Sequence, residues 1–136
     1  MASEDLAYAR TQVVHNFGAA GVVGGAFFAL WPAFRPEHAR LMAWLVLVAW
    51  SAQIGSGIVF GAVSLYNYGQ TPDLSVVAMG ALVVKVTAAT AGFLLSAYYL
   101  LKGKEWSPAC IRTTFRSLAV LGATALTAAA FLRWFA

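Results

Sequence analysis

The sequence predicts an all-α fold: an integral membrane four-helix bundle running up-down-up-down. Three observations predict it. Of the 136 residues, 61% are hydrophobic and only 10% are charged, whereas a soluble domain is about half apolar and about a quarter charged. The apolar residues gather into four runs, each long enough for the roughly 20 residues that a membrane helix needs. Short polar segments rich in turn formers separate these runs. The mean hydropathy of +0.74 agrees.

The same numbers exclude a disordered chain, a nucleic-acid-binding domain and an ordinary soluble enzyme. The net charge of +4 is not a polyanion-binding stripe, because the cations sit at segment ends. A single cysteine, Cys110, excludes an internal disulfide and any Cys-based zinc or iron–sulfur site within the chain. The first twelve residues carry Glu4 and Asp5 and lack a basic n-region, so no cleavable signal is expected.

The expected spans are residues 13–34, 41–66, 74–101 and 112–135. The first ends at Trp31 and Pro32, and RPEHAR turns the chain. NYGQTPD separates the second from the third, and KGKEWSPA the third from the fourth. These runs are far too long for strands and lack the in–out alternation of a barrel. In lipid every backbone polar group must be satisfied internally, so the runs are helices. Short loops make neighbours antiparallel.

Charge predicts the orientation. The first and third linkers with their flanks hold six cations, Arg35, Arg40, Lys102, Lys104, Arg112 and Arg116, against Arg10 and Arg133 on the other side. The positive-inside rule places those linkers in the cytoplasm and both termini outside. The expected location is a bacterial inner membrane, with the termini toward the periplasm in a Gram-negative cell. Tyr66, Tyr68, Tyr98, Tyr99, Trp31, Trp106 and Trp134 fall near span ends, as an aromatic belt would.

Small residues suggest where helices meet. Gly21 and Gly25 in the first span, and Gly57 and Gly61 in the second, are each spaced by four, which lets two backbones approach closely in lipid. Packing within the bundle is one reading. A homo-oligomer or docking face for another membrane subunit is the other.

Only His15 and Lys85 are ionisable residues well inside a span. A mid-bilayer lysine costs roughly 2.5–3.5 kcal/mol even on a mild insertion scale and usually faces a bundle interior. Lys85 shares a helical face with Ala78, Ala81, Ala88, Ala89, Gly92 and Ser96, the small-residue side. It is expected to point inward as a ligand-linked cation, with snorkelling toward the outer surface as the alternative. His15 shares a face with Gly18, Val22, Gly25 and Ala29. It is either an interfacial hydrogen-bonder or a ligand. Under this topology His15 lies near the outer end of its span and Lys85 roughly 10 Å deeper, from where its flexible side chain could reach up toward that level. Asn16, Gln53 and Ser56 are candidates to join them. Gln53 shares a face with Gly57, Gly61 and Ser64, and an interhelical hydrogen bond is its simplest role.

His38 sits in the first linker, on the opposite side from His15, so the two histidines cannot form a bis-His haem site. It is read as a solvated linker residue. No acidic residue lies within a span, and no Ser/His/Asp set or Gly-rich phosphate loop is found, so the residues lean away from an enzyme acting alone. A protein-only metal site is thin: His15 with the N-terminal amine, Met79, and Glu4 or Asp5. Copper would suit imidazole and thioether ligands.

The stretch HNFGAAGVVGGAFFAL resembles the first helix of the CopD-like (copper-resistance protein D) membrane domain, with His15 followed nine and ten residues later by Gly24 and Gly25. The family's usual Trp seven residues after the His is Val22 here. SAQIGSGIVFGAVSLY and the later helix bearing Lys85 resemble the next two helices. HemJ-type protoporphyrinogen oxidases are distantly similar in the same His and Lys, but the Arg they carry after the first-helix glycines is replaced by Phe27 and Phe28. The resemblance covers roughly residues 13 to 101. It implies a module handling copper or haem at the outer membrane face, with His15 as metal or haem ligand and with Lys85 and Gln53 at the cofactor site. A full copper-resistance protein has more helices, which argues against independent copper transport. The other reading is a non-catalytic accessory subunit of a larger respiratory or photosynthetic complex.

Overall fold

A computed structural model describes residues 2–69 and 73–136, with side chains omitted at residues 2–4 and at Tyr68. It is 90% helical, with four α-helices and no strand among the described residues. The helices are α1 (Ala2–Ala29), α2 (Ala39–Tyr68), α3 (Val76–Lys102) and α4 (Pro108–Phe135), with short 3₁₀ turns at Pro36–His38 and Gly103–Glu105.

Local chemistry sets each boundary. Helix α1 begins well before the expected residue 13, with Asp5 near the positive end of the helix dipole. It stops at Ala29 rather than 34, because Pro32 lacks an N–H and restricts the residue before it. Leu30 and Trp31 instead donate to the carbonyls of Phe27 and Phe28, each at 3.1 Å. Helix α2 ends on Gly69, whose φ of 67° is the left-handed geometry that glycine adopts without strain, with its N–H bonded to the Leu65 carbonyl. Ser75 caps α3 through its hydroxyl and Ser107 caps α4. Pro108 at the first helical position starts α4 four residues before the expected 112. Residues 70–72 of the second linker lie outside the described residues.

Helix α1 packs on α2 and α4, and α3 packs on α4 and α2, closing a ring of four antiparallel neighbours. Helices α2 and α3, each counted with its adjoining 3₁₀ turn, and helix α4 are long and apolar enough to cross a membrane. Gln12, His15 and Asn16 dilute α1, which is not among them but lies alongside α2 and α4 in the same bundle. Large apolar side chains cover the outside: Phe17, Tyr66, Val76, Leu101 and Trp134 are all more than three-quarters exposed. Such a surface would associate indiscriminately in water and is satisfied by lipid.

The core is built from Trp50, Phe115, Leu118, Val22 and Val46, with alanines 26, 43 and 88 between them. The Trp50 indole lies flat on Gly92, joining α2 to α3. Gly18, Gly21 and Gly25 let α1 approach Ala49, Ala52 and Val46 of α2. Gly57 and Gly61 behave differently from Gly21 and Gly25: nothing lies within 4 Å of a Cβ added at either. Ser56 and Phe60, one residue round the helix, take the inward positions instead. A spacing of four marks a stripe but not its direction, and here the stripe faces out.

Of the aromatics expected near span ends, Trp31, Tyr66, Tyr98 and Trp134 are exposed. Tyr99 is an exception. It is only 4% exposed, edge-on to Trp106 and Phe115, and seated over Gly103. This aromatic cluster closes the α3–α4 end of the core.

Candidate functional site

Three helices bring a polar cluster together one layer beyond the Trp50–Gly92 contact, toward the end that carries the chain termini. His15 comes from the middle of α1, Gln53 and Ser56 from the middle of α2, and Lys85 from the first half of α3. Lys85 Nζ lies 3.2 Å from His15 Nε2. His15 Nδ1 lies 2.7 Å from Ser56 Oγ. The Gln53 side-chain amide donates to the His15 backbone carbonyl.

The lysine and histidine therefore meet at one level. Helix α1 extends about three turns before residue 13, so His15 stands at mid-helix, and the Lys85 side chain spans the distance to it. Residues Ala78, Ala88, Gly92 and Ser96 on the Lys85 face are buried, as are Gly18, Val22 and Gly25 on the His15 face. Asn16 does not join the cluster: it is exposed and accepts from Gln12 at 2.7 Å.

Proton counting fixes the roles. Ser56 has one hydroxyl proton. It is donated to the Ala52 carbonyl at 2.6 Å, one turn back, with the Gln53 carbonyl further off at 3.2 Å. With that proton donated to Ala52, the serine oxygen accepts from a His15 Nδ1–H, and Nε2 then presents its lone pair to the Lys85 amine, which donates to it. No carboxylate among the described residues pairs with Lys85.

The imidazole is further fixed by Phe60, whose ring meets it edge-on at 5.7 Å, and Tyr8 stacks on Phe60 at 6.2 Å. Sequence reasoning missed both aromatics. Phe60 was within reach, because it sits one turn after Ser56 on the same face of α2.

Beyond the site the walls open. No residue of α2 between 57 and 67 is buried, and in residues 76–87 of α3 only Ala78 is. Ile58, Val59, Val83 and Val84 leave apolar surface uncovered beside the cluster. Both His15 and Lys85 are half-buried rather than sealed.

The described residues contain no group of three or more His, Cys, Asp or Glu side chains able to hold a metal ion. Met79 and Asp5 are exposed, and Asp5 lies ten residues from His15 along α1, roughly 15 Å away. The N-terminal amine and the Glu4 side chain lie outside the described residues. A metal at Nε2 would have to displace the Lys85 ammonium. His38 sits in the 3₁₀ turn at the opposite end, its ring 6.4 Å from that of Phe34. No family model matches the chain, and no match is found among the curated proteins or the solved structures.

Proposed function

We propose that this chain is a CopD-like membrane protein that holds haem, with His15 as the axial ligand and Lys85 as the partner of a haem carboxylate. One observation carries the reading. The His15 ring is held by Ser56 at Nδ1 while Nε2 faces the Lys85 amine, which has no carboxylate partner among the described residues. A metal-binding histidine is generally held in this way by a hydrogen bond from its other nitrogen. An unpaired ammonium in an apolar setting favours an anionic group. If the carboxylate draws Nζ toward itself, Nε2 is released to bind iron. Gln53 holds the α1 backbone at this point.

Haem suits the residues better than copper. Copper would need several protein ligands, and among the described residues only His15 stands here. Haem needs one axial nitrogen and brings its own ring and carboxylates. The uncovered apolar faces of α2 and α3 beside the cluster would take the ring. On the charge argument the site lies in the outer half of a bacterial inner membrane, with both termini outside.

The test is purification in mild detergent with an optical spectrum and haem quantitation. About one haem per chain is expected for the wild type, and none for His15→Ala. Stoichiometric haem retained by His15→Ala would sink the assignment.

A second reading is an accessory subunit of a larger membrane complex. The outward Gly57/Gly61 stripe and the exposed Gln12–Asn16 pair favour it, since lipid leaves both without a partner. Co-migration with larger proteins on a native gel supports this reading, and quantitative migration as a free monomer from native membranes opposes it.

A further inference from the structure

At the end opposite the polar cluster, the α1–α2 turn encloses an open groove of about 440 Å³. Phe28, Trp31, Leu41 and Met42 line it together with Arg35 and His38. That volume falls within the roughly 300–1,000 Å³ of small-molecule sites. We propose that this groove binds one anionic phospholipid. The phosphate would sit on the Arg35 guanidinium and a His38 ring N–H, and the upper acyl chain would lie along the apolar wall.

The groove is preformed. Phe34 N–H donates to the Trp31 carbonyl at 2.9 Å and His38 N–H to the Arg35 carbonyl at 3.0 Å, which pins the turn. Phe34 is edge-on to both Phe28 and His38. The groove spans the boundary where an apolar helix end gives way to a charged linker, the level at which a phospholipid joins its phosphate to its chains. Trp31 and Leu41 are each more than 60% exposed and present apolar surface there.

Charge selects the lipid class. This end of the molecule carries Arg35, Arg40, Lys102, Lys104, Arg112 and Arg116 against Glu37 and Glu105. A basic surface of this kind faces the anionic leaflet. Arg35 is only loosely held by Glu37, at 3.7 Å with both side chains largely exposed. Exposed pairs of this kind contribute little, so the guanidinium is free to take phosphate in two parallel hydrogen bonds. The assignment does not depend on the haem reading.

The test is native mass spectrometry of the detergent-purified chain titrated with phosphatidylglycerol, with phosphatidylcholine of the same acyl chains, and with inorganic phosphate. One phosphatidylglycerol adduct is expected at a preference of about five-fold or more over phosphatidylcholine, as one well-placed cation provides. Phosphate alone should not bind. The double substitution Arg35→Gln, His38→Gln should erase the preference, and Arg112→Gln, Arg116→Gln on the same side should keep it. Equal binding of the two lipids overturns the proposal. So does phosphate binding as well as the lipid, a preference that survives Arg35→Gln, His38→Gln, or one lost equally in the arginine control.

Discussion

Gly92→Ala should be the most damaging small substitution in the bundle, and the structure gives its size. A Cβ at position 92 would lie 2.5 Å from both Cζ2 and Nε1 of Trp50, and closer still to Cε2. Ordinary contact begins near 3.4 Å, so the ring or the helix must give by about 1 Å. Trp50 is 1% exposed, in a core that includes Val46 and Ala88, and has no room to swing. Overpacking a well-filled core costs about 1–3 kcal/mol, and a rigid indole against a backbone puts this case at the upper end. Gly80→Ala is the matched control, on the same helix with nothing within 4 Å of its added Cβ. It should gain about 0.5–1 kcal/mol from helix propensity. The two substitutions, chemically identical, should therefore change stability in opposite directions. The assay is unfolding of the purified protein in mixed micelles with increasing SDS, followed by circular dichroism. Trp50→Leu in the Gly92→Ala background should recover part of the loss, which a double-mutant cycle would register as coupling. Equal stability of Gly92→Ala and Gly80→Ala would refute the argument, because it would mean that the α2–α3 contact is not set by this ring.

Three further outcomes test the polar cluster and the outward stripe. Ser56→Ala removes the acceptor that orients the His15 ring and should weaken haem retention by about 10–100-fold, read from spectra during dilution; unchanged retention would mean that Ser56 does not position the ring. Lys85→Met should raise resistance to SDS by up to about 2.5–3.5 kcal/mol, the price of a lysine at mid-membrane, while lowering haem content; a loss of both would assign Lys85 to stability rather than to the ligand. Gly57→Leu with Gly61→Leu should leave monomer stability within about 0.5 kcal/mol of the wild type, since neither glycine has a neighbour within 4 Å. The same pair should shift native-gel migration only if a partner helix docks on that stripe.

The helical count, the antiparallel order and the inward aim of Lys85 were legible because each rests on composition, loop length or a single helical face. Helix ends were less so. Pro108 and Ser107 form a standard start signal, yet the apolar run that draws attention begins beyond them. The start of α1 was hidden for the same reason: residues 2–12 are too polar to read as membrane span, but the helix continues through them. Gly57 and Gly61 show a different limit. Their spacing is set by the helix alone, whereas the direction they face depends on which neighbour α2 meets, and Ser56 and Phe60 settle that. The meeting of Nζ with Nε2 needed the rotation and depth of two helices at once, 70 residues apart in sequence.

The indole of Trp50 also makes the molecule its own optical instrument. Its Nε1 has no hydrogen-bond partner among the described residues, and the ring is almost wholly excluded from the surroundings. Emission from such an indole lies at the blue edge of the tryptophan range. Trp31, Trp44 and Trp134 are at least half exposed and emit from the lipid or its boundary. The dark ring of a haem placed at His15, one layer away, would fall within energy-transfer range of Trp50. The emission would then dim as the ligand arrives, while a phospholipid entering the α1–α2 groove would report through Trp31. Two occupants at opposite ends of one bundle could be followed in a single spectrum without attaching a label.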